Sequence, residues 1–220
     1  MKFRKIKLLF LSLLSIVASG CAPVIEYVDV LNFPQFSFEI IDRGECKVFA
    51  SQAFDLTEAV IPKYVKINSN NYVVTSIGNR AFFNCSSLTS IIIPDSVTSI
   101  GDWAFHNCSS LPSIIIPDSV TTIGVGAFSY CSSLPSIIIP DSVTSIGSSA
   151  FEGCSSLQYN KYDKCNYLGN DSNPYHVLIS YETKCQTYEI NSKCKIVCGF
   201  AFLDCASLTS IIIPDSVTSI

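Results

Sequence analysis

The sequence predicts a solenoid of short parallel β coils, one coil per 23 residues, and three observations carry that prediction. The octapeptide IIIPDSVT begins at Ile91, Ile114, Ile137 and Ile211. Cys85, Cys108, Cys131 and Cys154 stand 23 residues apart, as do Gly78, Gly101, Gly124 and Gly147, and Phe82, Phe105, Phe128 and Phe151. Third, one such unit buries too few side chains to offset the ordering of its backbone, at about 1–2 kcal/mol per residue. Each coil must therefore complete its core on its neighbours. A catalytic site is built once, from unlike parts; a motif written four times points to architecture.

Residues 1–20 read as an export signal. Lys2, Arg4, Lys5 and Lys7 form a basic start, and Leu8–Ala18 is an apolar run too short to span a membrane. Ala18-Ser19-Gly20-Cys21 resembles a bacterial lipobox, by which Cys21 becomes the mature N-terminus and carries the lipid. The alternatives are an ordinary secretory signal that meets a cysteine, or a retained anchor. Residues 21–35 follow as the lipidated N-terminus and tether, although Val24–Leu31 is too apolar for a purely flexible one.

Residues 36–72 read as a degenerate capping repeat, in which Ala59-Val60-Ile61-Pro62 echoes the IIIP step. Val74-Thr75-Ser76-Ile77-Gly78 then joins the register of the regular repeats, 73–157. Within one unit, alternation along Leu88–Ile93 turns Ile91 and Ile93 inward and Ser90 and Ile92 outward, as a strand that Pro94 ends. Asp95 and Ser96 make a turn in which a short acceptor side chain bonds the following backbone. Val97–Ile100 is a second extended piece, and Gly101 allows the next reversal. The spacing of Ala104, Phe105 and Cys108 suits a single helical or 3₁₀ turn.

The register breaks after Leu157, because Cys154 to Cys205 is two periods plus five residues. Residues 158–187 read as an irregular repeat with a β-hairpin insertion: Asn166–Leu168 and Tyr175–Tyr181 flank a Gly169–Pro174 turn. This stretch holds Tyr159, Tyr162, Tyr167, Tyr175 and Tyr181 of the chain's ten tyrosines, so a distinctive contact is expected here. Residues 188–220 resume the repeat, with Tyr188-Glu189-Ile190 in place of III and Ala201-Phe202 restoring the turn. The sequence stops before the next glycine without a polar cap, which reads as a truncation or as a self-associating end.

The spacing L-x-x-I-x-I at Leu88, Ile91 and Ile93 resembles the strand segment of leucine-rich repeats. The full unit, with IPDSVTSIG, AF and CSSL, resembles the BspA-like subclass of bacterial surface proteins, from Val60 to Ile220. The resemblance implies a leucine-rich repeat solenoid, an exported binding surface, in some members an adhesin for host or bacterial partners, and no catalytic residues.

Chemistry and charge narrow the function further. The net charge of −4 becomes −8 once the four basic residues of the leader are removed, so nucleic acid is a poor partner. No nucleophile–base pair or phosphate loop is evident, His106 and His176 stand alone, and no metal or other cofactor is expected. The cysteine ladder lies on the buried side, where a thiol acts as a small hydrophobe; a Cys165–Cys185 bridge across the hairpin is a separate possibility. Asp95, Asp118 and Asp141 would stack one coil apart and must be exposed or neutralised.

The candidate partner-binding residues are Ile92, Ile115, Ile138 and Ile212, an outward isoleucine row that water would not favour. Trp103, Tyr130, Tyr175 and Tyr181 join them as aromatic residues at positions that vary between copies or lie in the insertion. The bland reading is that neighbours cover the isoleucines and that variation marks an unconstrained solvent face. The expected function is a non-catalytic surface module that binds a protein or extracellular-matrix ligand, tethered to the membrane by its lipid only. The alternative is a self-associating envelope scaffold.

Overall fold

The computed structural model describes residues 28–29, 35–42, 44–50, 56–182 and 186–220. The leader, Cys21 and Cys185 lie outside the described residues. Within the segment read as a tether, β1 (Val28–Asp29) pairs in parallel with β5 (Tyr64–Ile67). The segment read as a cap holds a hairpin of β2 (Phe36–Asp42) and β3 (Glu45–Ala50), then β4 (Glu58–Val60) and β5, and β6 (Asn70–Ile77) runs on from it into the regular repeats. The regular coils contribute β7 (Ser90–Ile92), β8 (Ser99–Ile100), β9 (Thr122–Ile123) and β10 (Ser145–Ile146).

The fold is the expected solenoid, and its parallel register repeats the sequence period. Ser76 faces Ser99, Ser99 faces Thr122, and Thr122 faces Ser145. The ladder that runs through the regular coils is therefore this second extended piece, not the IIIP segment. The IIIP segment pairs as β4 with β7 and as β14 (Thr187–Glu189) with β16 (Ser210–Ile212), and between them by the single bridge of Ile138 to Gly169. The reason lies two residues before the first isoleucine. Thr89 donates its N–H to Thr57 O at 2.8 Å, and Thr209 donates to Gln186 O at 2.8 Å. Pro112 and Pro135 occupy the same register in the middle coils and have no N–H to give.

The remaining elements are β11 (Asn160–Tyr162), β12 (Cys165–Leu168), β13 (Val177–Tyr181) and β15 (Ile196–Val197). β12 and β13 form the antiparallel hairpin, and β13 returns to the solenoid by pairing in parallel with β15. β13 continues as strand to Tyr181, in the register where other coils have already begun the turn before Ala-Phe. Its effect on packing is to divide the interior. One core extends from Phe36 to Cys198, and a second is made by Cys165, Tyr167, Leu178, Tyr188, Ile190, Cys194, Val197 and Ala201.

Three ladders hold the regular coils. Phe82, Phe105, Phe128 and Phe151 stack nearly parallel, with centroids 5.1, 5.3 and 5.7 Å apart. Serine and threonine hydroxyls cross between coils: Ser119 Oγ donates to Val97 O at 2.6 Å and Thr121 Oγ1 to Thr98 O at 3.2 Å. The turn serine therefore ties one coil to the last rather than capping its own turn, which corrects the acceptor role read from the sequence. The cysteines form the third ladder, in which Cys131 Sγ donates to Phe105 O and Cys154 Sγ to Phe128 O.

All four ladder thiols are free and buried. Burial pushes Cys85 and Cys154 up to about 11 and Cys131 to about 12, and Cys108 is raised as well. A thiol in that range carries almost no thiolate near neutral pH, and thiolate is the reactive form. These four cysteines are expected to resist iodoacetamide in the folded protein and to be modified fully in denaturant. Peptide mass mapping checks this, and rapid native labelling of Cys108 or Cys131 would contradict the ladder.

The turn at Ala-Phe differs from the expected helix. Its bonds are i to i+3, as Cys108 N to Phe105 O, but alternate N–H groups cross to the next coil: Trp103 to Val125 O, Phe105 to Ala127 O, Asn107 to Ser129 O. That pattern requires left-handed backbone at two positions per coil. Those positions are Arg80 and Asn84, Trp103 and Asn107, Gly126 and Tyr130, Ser149 and Gly153, Phe200 and Asp204. The reversal assigned to Gly101 is made there instead. Gly101 and Gly124 do not have positive φ; they are needed because backbone of the preceding coil fills the space of a Cβ.

Candidate functional site

The alternation in IIIP places every second isoleucine in solvent. Ile91 and Ile93 are 8% and 9% exposed, whereas Ile92 between them is 58% exposed. Ile115 reaches 82% and Ile138 61%, and the cap adds Val60 at 43%. Register joins these into one row, since Val60 faces Ile92 across the β4–β7 pair. Beyond Ile138 the row meets Gly169 and then Glu189, which faces Ile212. Ile212 is exposed but stands apart from the others. The bland reading, that neighbours cover the row, does not hold for Ile115.

The apolar stripe thus runs from Val60 to Ile138, and its most exposed residue sits where Pro112 and Pro135 interrupt the strand ladder. Sequence reasoning missed Val60 as a member and missed the break. The echo of IIIP in Ala59–Pro62 was the signal for the first, and Gly169 and Glu189 in register were the signal for the second.

Carboxylates line up one coil apart at the corner beside the stripe. Asp95 pairs with Lys63 at 2.7 Å. Asp141 accepts from Asn170 Nδ2 at 2.8 Å and lies 3.7 Å from His176 Nδ1. Asp118 is exposed between them and has no ion-pair partner among the described residues. The row therefore meets the electrostatic demand of stacking by exposure and, at two of its three members, by a local partner. No group of three or more metal-ligating side chains occurs among the described residues.

The other candidates fall in two places. Tyr175 and Tyr181 pack against the second core rather than facing solvent fully. Tyr175 meets Tyr162 and Tyr167 edge-on, while Tyr181 stacks on Phe202 and donates its hydroxyl to Leu203 O at 3.0 Å. Trp103 and Tyr130 lie on the left-handed turns, on a different side of the coil from the isoleucines. A non-glycine, non-asparagine residue in that conformation costs about 1–2 kcal/mol.

Around Trp103 and Tyr130 the side chains form a connected surface cluster. The Arg80 guanidinium lies 5.1 Å from the Trp103 ring centroid and 5.6 Å from that of Phe83. Phe83 stacks on His106 at 4.7 Å, and His106 meets Tyr130 edge-on at 5.4 Å. The glycines of the following coil make room: a Cβ on Gly126 would come 2.6 Å from Trp103 Cδ1, and one on Gly153 2.6 Å from Tyr130 Cδ1.

The His106 tautomer follows from its neighbours. Ser129 gives its single hydroxyl proton to Gly126 O at 2.8 Å. Its contact with His106 Nδ1 at 2.6 Å must then have the imidazole as donor. Burial, and next the Arg80 charge, lower the His106 pKa against a smaller opposing pull from the Glu152 carboxylate, which favours the neutral ring with Nε2 as an acceptor. No buried side-chain nitrogen or oxygen among the described residues lacks a partner, so Nε2 is not fully buried.

A solenoid with this coil, in which a short β segment alternates with tight turns around a ladder of stacked side chains, defines a leucine-rich repeat protein. The chain matches the family model described as BspA type leucine rich repeat region, in six copies over residues 46–176 and 179–220, and it belongs to that family. Among solved structures, a leucine-rich repeat protein of Bacteroides ovatus is 28% identical with a TM-score of 0.52. The alignment covers 83% of this chain and 53% of that one, so this chain spans about half the length of that relative. The T. pallidum leucine-rich repeat protein shares the fold at 23% identity and a TM-score of 0.50, covering 84% of this chain and 82% of its own. No curated protein matches the sequence.

Proposed function

We propose that this protein is a non-catalytic binding module, exported and held at the bacterial surface by a lipid on Cys21, that engages a protein partner through the Val60–Ile138 stripe. The observation that supports this most directly is Ile115, 82% exposed in a repeat whose flanking isoleucines are buried. A fold that buries two of every three isoleucines and repeats the third outward places apolar area where it contributes nothing to its own core. Such a patch is the usual signature of a partner surface. The interrupted strand ladder leaves the IIIP segment around Ile115 without strand pairing of its own.

Pull-down from envelope and matrix extracts tests the reading, using the chain with Cys21→Ser as bait beside Ile115→Lys with Ile138→Lys. Both side chains point away from the core, so the double variant is expected to keep its melting temperature within about 2 °C, as surface changes do. A partner retained by the parent and released at least tenfold by the double variant supports the stripe. Equal retention would rule it out. A concentration-dependent oligomer of the parent, lost in the double variant, would make the partner a second copy of the chain and the protein a scaffold.

A further inference from the structure

The repeats are nearly identical inside and differ most at the left-handed turns, and the choice of residue there runs against stability. Asn84 and Asn107 show what suits the second left-handed position, and Asn107 Nδ2 donates to Asn84 Oδ1 at 3.2 Å across the coils. The next coil carries Tyr130 at that position, 49% exposed, with positive φ. Gly126 shows what suits the first position, which Trp103 fills in the preceding coil and Arg80 in the coil before that. Bulky rings and a guanidinium are thus held in strained backbone at positions where other coils carry asparagine or glycine; Phe200 is a further case, and Arg80, Trp103 and Tyr130 join one cluster over three consecutive coils. Strain of this kind gathers where function requires it.

We propose that Arg80, Phe83, Trp103, His106 and Tyr130 form a second binding site, independent of the isoleucine stripe, for an acidic oligosaccharide bearing carboxylate or sulfate groups. Three properties select that ligand. Arg80 has no carboxylate partner among the described residues, although the protein is acidic overall, and its fork suits a carboxylate or sulfate. His106 Nε2 is an acceptor in the same cluster with no hydrogen bond among the described residues, which a sugar hydroxyl satisfies as donor. Tyr130 is 49% exposed, and a half-exposed amphipathic ring offers apolar contact to a pyranose. The cluster is spread as a row of side chains over three coils, whereas protein hot spots centre on one packed anchor. A chain of sugars matches a shallow row better than a folded partner does.

The sequence supplies the reporter, because Trp103 is the chain's single tryptophan. The experiment titrates the full chain carrying Cys21→Ser with oligogalacturonate, hyaluronan and heparin oligosaccharides, a neutral galactan oligomer and polyglutamate, following Trp103 fluorescence and heat. Saturable binding of at least one acidic glycan, at least tenfold weaker for the neutral glycan and for polyglutamate, is expected. Arg80→Gln and Tyr130→Asn should each weaken it tenfold or more. Tyr130→Asn should also raise the melting temperature, since it relieves the backbone and extends the asparagine row. No saturation by any acidic glycan up to about 10 mM, beyond the weakest useful affinity, would overturn the proposal. So would equal binding of polyglutamate, which would mark a surface for acidic peptides. A Tyr130→Asn variant that melts lower and binds unchanged would make the cluster a structural feature only. Ile115→Lys leaves this binding intact if the two surfaces are separate, and its loss there would contradict their independence.

Discussion

Replacing Phe105 by alanine is expected to remove about 3–5 kcal/mol of stability, the range for a buried aromatic ring truncated to a methyl group. Phe105 is fully buried and stacks on both sides, 5.1 Å from Phe82 and 5.3 Å from Phe128. Its backbone bonds, N–H to Ala127 O and C=O from Cys131 Sγ, do not depend on the side chain. The loss is therefore one of burial and ring contact, with a cavity in the middle of the stack. A whole domain is commonly stable by only about 5–15 kcal/mol, so the change takes a large share. Because each coil contacts only its neighbours, the damage should also divide the molecule. Denaturant unfolding is expected to become less cooperative, with a lower slope as well as a lower midpoint. Phe151→Ala, which breaks only the 5.7 Å contact to Phe128 in the described ladder, should cost less. A loss below about 1.5 kcal/mol for Phe105→Ala, smaller than burial of the ring alone accounts for, would refute the stack as the main support.

Gly124→Ala is expected to cost about 3 kcal/mol, at the upper end of what overpacking does. The added methyl would lie 2.5 Å from Asp102 N, 2.6 Å from Asp102 Oδ1 and 2.6 Å from Gly101 C. Two of these are backbone atoms that cannot rotate away, so the coils must separate. Separation would strain the bonds from Gly124 N to Ile100 O and from Val125 N to Asp102 Oδ1, each 2.8 Å. The insertion supplies an internal control. Cys198 stands in the glycine register, with its N–H bonded to Leu178 O as Gly124 is to Ile100 O. It carries a side chain there, where the residues beneath it belong to β13 rather than to a turn. Melting of Gly124→Ala within about 1 °C of the parent, the shift of an innocuous surface change, would mean that the approach is not rigid.

Much of the interior is legible in the linear chain. Ile91, Ile93, Val97, Ile100, Ala104, Phe105 and Cys108 recur at fixed intervals and are all buried, because a contact between stacked coils is a contact between residues one period apart. The outward Ile92 and its partners follow from the same alternation. The turn is not legible, since A-F-x-x-C spacing fits a helical turn and a left-handed pair equally well. The asparagines and glycines at positions 84, 107, 126 and 153 carry the information, but Trp103 and Tyr130 in the same columns hide it. The surface cluster is hidden for a related reason: Arg80, Phe83, His106 and Tyr130 belong to three coils and meet only when those coils stack.

That the chain repeats, how long each coil is, and which side chains turn inward are all written in the residues, because period and alternation are properties of the backbone's own geometry. Stacking alone decides which extended segment zips into a sheet, where the apolar stripe ends, and which side chains share a face. Those outcomes depend on whether the neighbouring coil offers an N–H, a methyl's worth of space or an oppositely charged group. A proline two residues before the isoleucines or a glycine below an aromatic ring has its effect through that neighbour, and the linear chain does not show which neighbour it will have.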